Sequence, residues 1–129
     1  MLPYSLNEKT KKAHDWEIEH IFPDTWGTII PELRSKQTEI DREKEKIGNK
    51  MPLEKELNIP ASNHFFESKR EMYRQSSVLI AKQMAEISQD DGEQWYSQNV
   101  KNVIYQRGDE IAKRIKQQFE KWNKQYNQN

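Results

Sequence analysis

The sequence predicts a single α+β domain that is mostly helical. A strand is predicted at residues 16–20, where Trp16 and Ile18 alternate with two glutamates, and Pro23 ends this run because proline cannot donate to a ladder. Helices are predicted further along the chain by apolar residues that recur at intervals of three and four. A length of 129 residues fits one domain, and an apolar content of 33% leaves a thin core.

Composition excludes several classes of protein. The chain has no cysteine, so disulfides, thiolate zinc sites and cysteine nucleophiles are excluded, and a reducing cytoplasm is compatible with this. No apolar run approaches the roughly 18–20 residues that span a bilayer, and no secretory signal is visible, so we expect no membrane partner. The 21 Lys and Arg balance the 21 Asp and Glu, although residues 95–129 carry 7 basic and 3 acidic side chains, a net charge of +4.

The first half of the chain predicts short elements. Residues 27–48 form a polar connector that is either a short solvated helix or a mobile loop, and Gly48 suits a turn or a helix end. Met51 and Leu53 share one face of a brief strand, which Pro52 confines to a sheet edge. Proline is favoured in the first turn of a helix, so we expect a helix to begin at Pro60.

The second half predicts helices. Residues 63–87 are interpreted as helical, with a break near Ser76 and Ser77, and Asp90-Asp91-Gly92 is predicted to be a turn. A helix is expected to end near Gly108, with Asp109 capping the next. Ile111, Ile115, Phe119 and Trp122 then form a stripe that we assign to the core, as we do Trp16, Trp26 and Trp95. Residues 124–129 are expected to fray.

Imidazole, carboxylate and amide groups suggest a chemistry. His20 follows Glu19 at the end of the predicted strand, and Asn49, Asn58 and Asn63 come downstream. Mg²⁺ takes oxygen ligands, and a neutral imidazole can accept a proton from an attacking water. These are the parts that metal-assisted phosphodiester hydrolysis requires. Each residue alone has a structural alternative, such as a solvated carboxylate or a turn asparagine.

Order and spacing add a family resemblance. The segments IEHIFP, IGNKMPLEKELN and SNHFFESK, followed by Tyr73 and Ser76, resemble the HNH endonuclease domain of the GmrSD-type restriction enzymes. Trp95, Ile104–Arg107 and Trp122 also match, so the resemblance covers about residues 15–123. The nine-residue step from Asn49 to Asn58 is similar to that in the HNH domain of the RNA-guided CRISPR nuclease.

This resemblance implies a ββα-metal (HNH) finger packed on further helices, and a metal-dependent endonuclease that nicks or cuts DNA. His20 would be the general base, Glu19 and Asn58 would bind Mg²⁺, with Mn²⁺ as the alternative, and Asn49 would hold the loop that positions His20. The resemblance further implies that Asn63 is an alternative metal ligand or a phosphate contact, and that Lys69 contacts a phosphate. Cations along the DNA backbone would be Lys69, Arg70 and Arg74.

The sequence also departs from the family pattern. Asp24 stands where the family often has Gln, and the large N-terminal domain that handles nucleotide and senses modified DNA has no counterpart here. We therefore expect a fragment, or a small cytoplasmic protein of bacterial or phage type, with a separate sensor domain or subunit as a further partner. Two other functions stay open: a DNA-binding module that retains the fold without turnover, and a protein-interaction domain.

Overall fold

A computed structural model describes residues 6–7, 12–13, 15–28, 30–61 and 66–128. It confirms the α+β class and the mostly helical content. The strands are β1 (Leu6–Asn7), β2 (Lys12–Ala13), β3 (Trp16–His20) and β4 (Lys50–Glu54). The helices are α1 (Gln37–Glu43), α2 (Lys55–Ala61), α3 (Phe66–Arg74), α4 (Leu79–Ala85), α5 (Gln89–Gln94) and α6 (Val100–Asn127), with 3-10 turns at Pro31–Lys36 and Ile47–Asn49.

The strands form two antiparallel pairs, β1 with β2 and β3 with β4. In the second pair, His20 is opposite Lys50 and Trp16 is opposite Glu54. The predicted faces of β4 are confirmed, since Met51 and Leu53 are buried while Pro52 is exposed. The chain passes directly from β4 into α2, which packs on both strands. Pro60 therefore lies in the last turn of α2, and the prediction that it starts a helix is wrong.

The face of β3 that turns inward carries carboxylates. Glu19 is buried, whereas Ile18 and Trp16 are exposed, so the assignment of Trp16 to the core is wrong. Alternation along a strand separates two faces but does not say which of them another element covers. Trp26 and Trp95 are buried as expected.

The polar connector is helical. The 3-10 turn Pro31–Lys36 leads into α1, and Leu33 and Ile40 reach the hydrophobic core. The indole nitrogen of Trp26 donates to Asp41 at 2.8 Å, which ties α1 to the loop after β3. The structure thus decides between the two predicted states of this segment.

Helices α3 and α4 confirm the predicted break near Ser76, but the predicted turn at Asp90-Asp91-Gly92 is wrong because these residues lie inside α5. The Ser88 hydroxyl accepts a hydrogen bond from the backbone N–H of Asp91 and caps the helix, and acidic residues suit a first turn. Gly92 is required there because a Cβ would lie 2.7 Å from the Phe66 ring.

Helix α6 runs without interruption through Gly108, so the predicted helix end at Gly108 and cap at Asp109 are wrong. At this point α6 crosses the 3-10 turn at Gly48, and the absence of a Cβ at Gly48 allows the two backbones to approach closely. The helix continues to Asn127, so residues 124–127, where the sequence predicts a frayed tail, are helical in the structure. None of the described helices is long and apolar enough to cross a bilayer.

The hydrophobic core lies between the β3–β4 sheet, α1 and helices α3 to α6. Its largest buried apolar side chains include Phe22, Ile21, Leu53, Tyr73 and Ile104. The stripe from Ile111 to Trp122 was expected to belong to this core, and that expectation is wrong. Ile115, Phe119 and Trp122 are exposed because α6 extends beyond the body of the domain.

Candidate active site

His20 is the last residue of β3 and is partly exposed. Its Nε2 atom lies 3.2 Å from Oε1 of Glu45, in the turn after α1. Glu45 in turn lies 3.4 Å from the ammonium of Lys50, which is the β4 residue opposite His20. The imidazole is therefore held at the edge of the sheet with a carboxylate on one ring nitrogen.

Glu19 points away from His20 because successive residues of a strand face opposite sides. Its Oε2 accepts a hydrogen bond from the Tyr73 hydroxyl at 2.7 Å and pairs with the Lys69 ammonium at 3.1 Å. All three side chains are almost fully buried. Such a carboxylate has little freedom to turn, since α3 supplies both of these partners.

Burial shifts the pKa values of the two α3 partners. Desolvation lowers the pKa of Lys69, and the negative charge of Glu19 opposes that shift. Desolvation, followed by the charge of Glu19, raises the pKa of Tyr73. Tyr73 is thus a neutral donor to Glu19 at any physiological pH.

Asn49 fastens the loop that leaves β3. Its Oδ1 accepts from the backbone N–H of Phe22 at 2.7 Å, and its Nδ2 donates to the carbonyls of Phe22 and Lys44 at 3.0 and 2.9 Å. The Ile21 N–H also donates to the Asn49 carbonyl at 2.9 Å. The loop immediately after His20 is therefore bound to the residue before β4.

Lys69 fastens the same loop from the other side. Its ammonium donates to the carbonyls of His20 and Ile21 at 2.5 and 3.1 Å, and the Tyr96 hydroxyl also donates to Ile21 O at 3.2 Å. The Lys69 side chain has no solvent exposure. A phosphate approaching from solvent does not reach this ammonium, so the structure places Lys69 differently from the expected phosphate contact.

Asn58 lies on α2, which covers the Glu17 and Glu19 face of β3. Its Nδ2 donates to Oε2 of Glu17 at 2.8 Å, and the side chain is nearly buried. The structure thereby brings the residue expected as second metal ligand next to the strand that carries the first.

A cavity of about 230 Å³ lies at the end of β3 and is lined by several of the expected site residues. Its lining consists of Ile18, Glu19, His20, Pro23, Asp24, Thr25 and Asn58. Glu19, His20 and Asn58, the three residues at the centre of the expected site, thus all belong to the lining of one cavity, although Glu19 and His20 lie on opposite faces of β3. Larger surface hollows exist elsewhere in the described structure, but they lack this combination of imidazole, carboxylates and amide.

Asp24 and Glu45 belong to this neighbourhood although the sequence did not single them out for it. One ligand atom from each of His20, Asp24 and Glu45 lies within 4.8 Å of the others. Lys44, whose ammonium is 3.0 Å from Asp24, lowers the pKa of that carboxyl by a hydrogen bond and by its charge. Asp24 was noted as a departure from the family pattern, whereas Glu45 sits in an alternating charge run that gives no local signal.

The remaining expected site residues are distributed differently. Arg70 is nearly buried, and its guanidinium donates to the carbonyls of Ala85 and Ile87, both at 2.6 Å. Arg74 is half exposed and pairs with Glu71 at 3.2 Å. Asn63 lies outside the described residues. Of the three cations expected along DNA, Arg74 is therefore the one on the surface.

A buried carboxylate, an imidazole and an amide thus line one cavity at the edge of a small α+β domain. The model of one family, GmrSD restriction endonucleases, C-terminal domain, matches residues 2–125. The chain belongs to this family, and it is a restriction endonuclease-type domain. Neither curated proteins nor solved structures show a significant match to the chain.

Proposed function

We propose that this chain is an HNH-type, metal-dependent endonuclease domain that hydrolyses DNA phosphodiester bonds. The observation that carries the proposal is the shared cavity of Glu19, His20 and Asn58. The order β3, β4, α2 is that of a ββα-metal finger, which further supports it. The family is one of restriction endonucleases, whose substrate is DNA.

The donor chemistry of the cavity fits Mg²⁺, with Mn²⁺ as the alternative. Mg²⁺ prefers a few oxygen ligands from protein and keeps the rest for water and phosphate. Glu19 and Asn58 would supply a carboxylate and an amide oxygen, and Asn63 stays a predicted alternative. A bound cation would stabilise negative charge on the scissile phosphate and on the leaving oxygen.

His20 is the proposed general base. Its Nε2 is beside Glu45, so we assign proton acceptance to Nδ1. Nδ1 takes a proton from a water molecule, the resulting hydroxide attacks phosphorus, and the P–O3′ bond breaks. The leaving oxygen takes a proton from solvent water and the His20 imidazolium returns its proton to solvent, so the products are a 5′-phosphate and a 3′-hydroxyl.

Asn49 and Lys69 act in this proposal as positioning residues. Both contact the backbone of residues 20–22 and neither is exposed. Lys69 also contacts Glu19, so one ammonium links the proposed ligand to the backbone of the proposed base. Pre-organisation of this kind matters because small displacements of reacting groups cost large factors in rate.

A plasmid-nicking assay tests the proposal. Wild type is expected to nick supercoiled DNA with Mg²⁺ or Mn²⁺ and to lose activity in EDTA. His20→Ala should reduce nicking by about 100-fold or more, the range of general-base catalysis. Asn58→Ala should raise the metal concentration needed, while the control Asn102→Ala, at an exposed position of α6, should behave as wild type.

Three results would contradict the proposal. Nicking that resists EDTA, or that persists in His20→Ala, would exclude this chemistry. If the folded wild type never nicks, and wild type and His20→Ala bind DNA equally well, the non-catalytic binding module is favoured instead. Binding measured against salt concentration separates that case from a protein-interaction domain, because phosphate contacts weaken steeply with salt.

A further inference from the structure

The C-terminal half of α6 carries an apolar stripe, the α6 stripe, that no described element covers beyond the partly buried Ile111 at its start. Residues 112–128 are all exposed. The α6 stripe consists of Ile111, Ile115, Phe119, Trp122 and Tyr126. Ile115, Phe119, Trp122 and Tyr126 are 47%, 62%, 54% and 80% exposed. Contiguous exposed apolar surface of this kind marks an interaction site.

The α6 stripe extends a face that already packs inside the domain. At about 100° per residue, the stripe occupies the same sector of the helix as Ile104 and Gly108. Ile104 is buried, and Gly108 meets Gly48 where the 3-10 turn crosses α6. The packing face thus continues past the end of the domain and needs a partner there.

The charges of α6 lie away from the stripe. The basic residues of this half are Lys113, Arg114, Lys116, Lys121 and Lys124, against one acid, Glu120. Helical geometry puts these cations on the sides and back of the helix, while Gln118, Gln125 and Asn123 border the stripe. DNA would contact the cationic side and leave the stripe exposed, so phosphate binding does not account for it.

We propose that a second copy of this chain covers the stripe, with the two α6 helices antiparallel about a two-fold axis. The 4-3-4 spacing from Ile115 through Phe119 and Trp122 to Tyr126 is that of a coiled-coil seam. An axis between residues 118 and 119 sets each aliphatic side chain of one stripe against an aromatic side chain of the other. Such a face is self-complementary, as a two-fold interface requires.

The available area suits a reversible dimer. The exposed parts of the four large side chains amount to roughly 500 Å² per copy, to which the bordering amides add, against about 800 Å² per partner in a standard interface. The cations point outward in this arrangement, so both copies keep them accessible. The mutual repulsion of the two basic helices should make the dimer stronger at higher salt.

Sedimentation across a range of about 1–200 μM tests the pairing without using nuclease activity. Wild type should pass from monomer to dimer, and Phe119→Glu should weaken the dimer by about 100-fold or more because it sets two carboxylates together at the axis. Tyr105→Glu is the matched control, since Tyr105 is an exposed aromatic residue of α6 outside the stripe. A monomer at every concentration, or a dimer that tolerates Phe119→Glu, would overturn the proposal.

Single cysteines test the orientation, because the chain has none of its own. Gln118→Cys should form an intermolecular disulfide under mild oxidation, since residue 118 is next to the axis. Gln125→Cys should not, because antiparallel helices place the two copies of residue 125 about 20 Å apart. Efficient linkage at position 125 would mean parallel helices or an axis at another position, and either would refute the proposed geometry. Neither result depends on whether the domain is a nuclease.

Discussion

Asn49 shows how one side chain can determine the geometry of a loop. Its amide satisfies the buried N–H and carbonyl of Phe22, 27 residues away in sequence, and the partly buried carbonyl of Lys44. Leaving such groups without partners costs about 1–3 kcal/mol each. Asn49 therefore has a structural role, and its contribution to the free energy of unfolding can be measured separately from catalysis.

Asn49→Ala is expected to lower the free energy of unfolding by about 3 kcal/mol, because two buried backbone groups and one partly buried carbonyl lose their partner. Urea unfolding measures the change. The control Asn102→Ala, at an exposed position, should alter stability by less than about 0.5 kcal/mol. Equal stability of the two variants would show that the buried bonds of Asn49 contribute nothing.

At the scale of elements, the contact between the 3-10 turn at Ile47–Asn49 and α6 determines where α6 lies relative to the β3–β4 sheet. Arg107 of α6 donates to the carbonyls of Gly48 and Lys50 at 3.0 and 2.9 Å, and burial lowers the pKa of its guanidinium. The turn at Ile47–Asn49 carries Asn49 and leads into β4. The position of α6 is thus coupled to the loop beside His20, although α6 contributes no residue to the cavity.

Gly48→Ala should disrupt this contact. A Cβ at position 48 would overlap the carbonyl oxygen of Ile104 and lie 2.9 Å from the Gly108 nitrogen, both of which belong to the backbone of α6. We expect a loss of about 3 kcal/mol or more in thermal or urea unfolding, at the upper end of overpacking effects.

Gly27→Ala is the matched control for this change. The nearest atom to a Cβ at position 27 is Nε of Arg34 at 3.8 Å, which is ordinary contact. We expect its stability to stay within about 0.5 kcal/mol of wild type. If Gly48→Ala were equally harmless, the close crossing of the two glycines would be wrong.

At the scale of the whole molecule, α6 has one part that packs on the domain and one part that is exposed. Residues up to about 111 pack on the domain, whereas residues 112–128 are exposed and are available to a partner. The acid–imidazole cavity and the α6 stripe involve no common residue. If both proposals hold, substitutions in the cavity should leave the proposed self-association unchanged, and substitutions in the α6 stripe should leave the proposed catalysis unchanged.

Truncation after Ile111 should leave a folded domain. At a concentration where the full chain is monomeric, we expect its Tm to fall by no more than about 3 °C, because the deleted residues make few contacts. Truncation after Val103 should unfold the domain, since it removes buried Ile104 and the Arg107 bonds. A large loss of Tm from the shorter deletion would mean that the end of α6 supports the fold.

Elements with local sequence signals could be predicted before the fold was known. The β3 and β4 strands, the break between α3 and α4, and the α+β class follow from alternation and spacing. The family also follows from ordered motifs, and the family model over residues 2–125 confirms it. The roles of the site residues remain predictions, while the shared cavity of Glu19, His20 and Asn58 is a structural finding.

Tertiary structure alone decided which faces are buried and which side chains meet. In the folded chain Glu19 faces inward and Trp16 faces outward, and Lys69 is buried against the loop that follows β3. Helix α6 continues through Gly108, and its apolar stripe is exposed to solvent. The fold also brings Glu45 to His20 across 25 residues. Periodicity describes the two sides of an element, but burial depends on what other parts of the chain lie against each side.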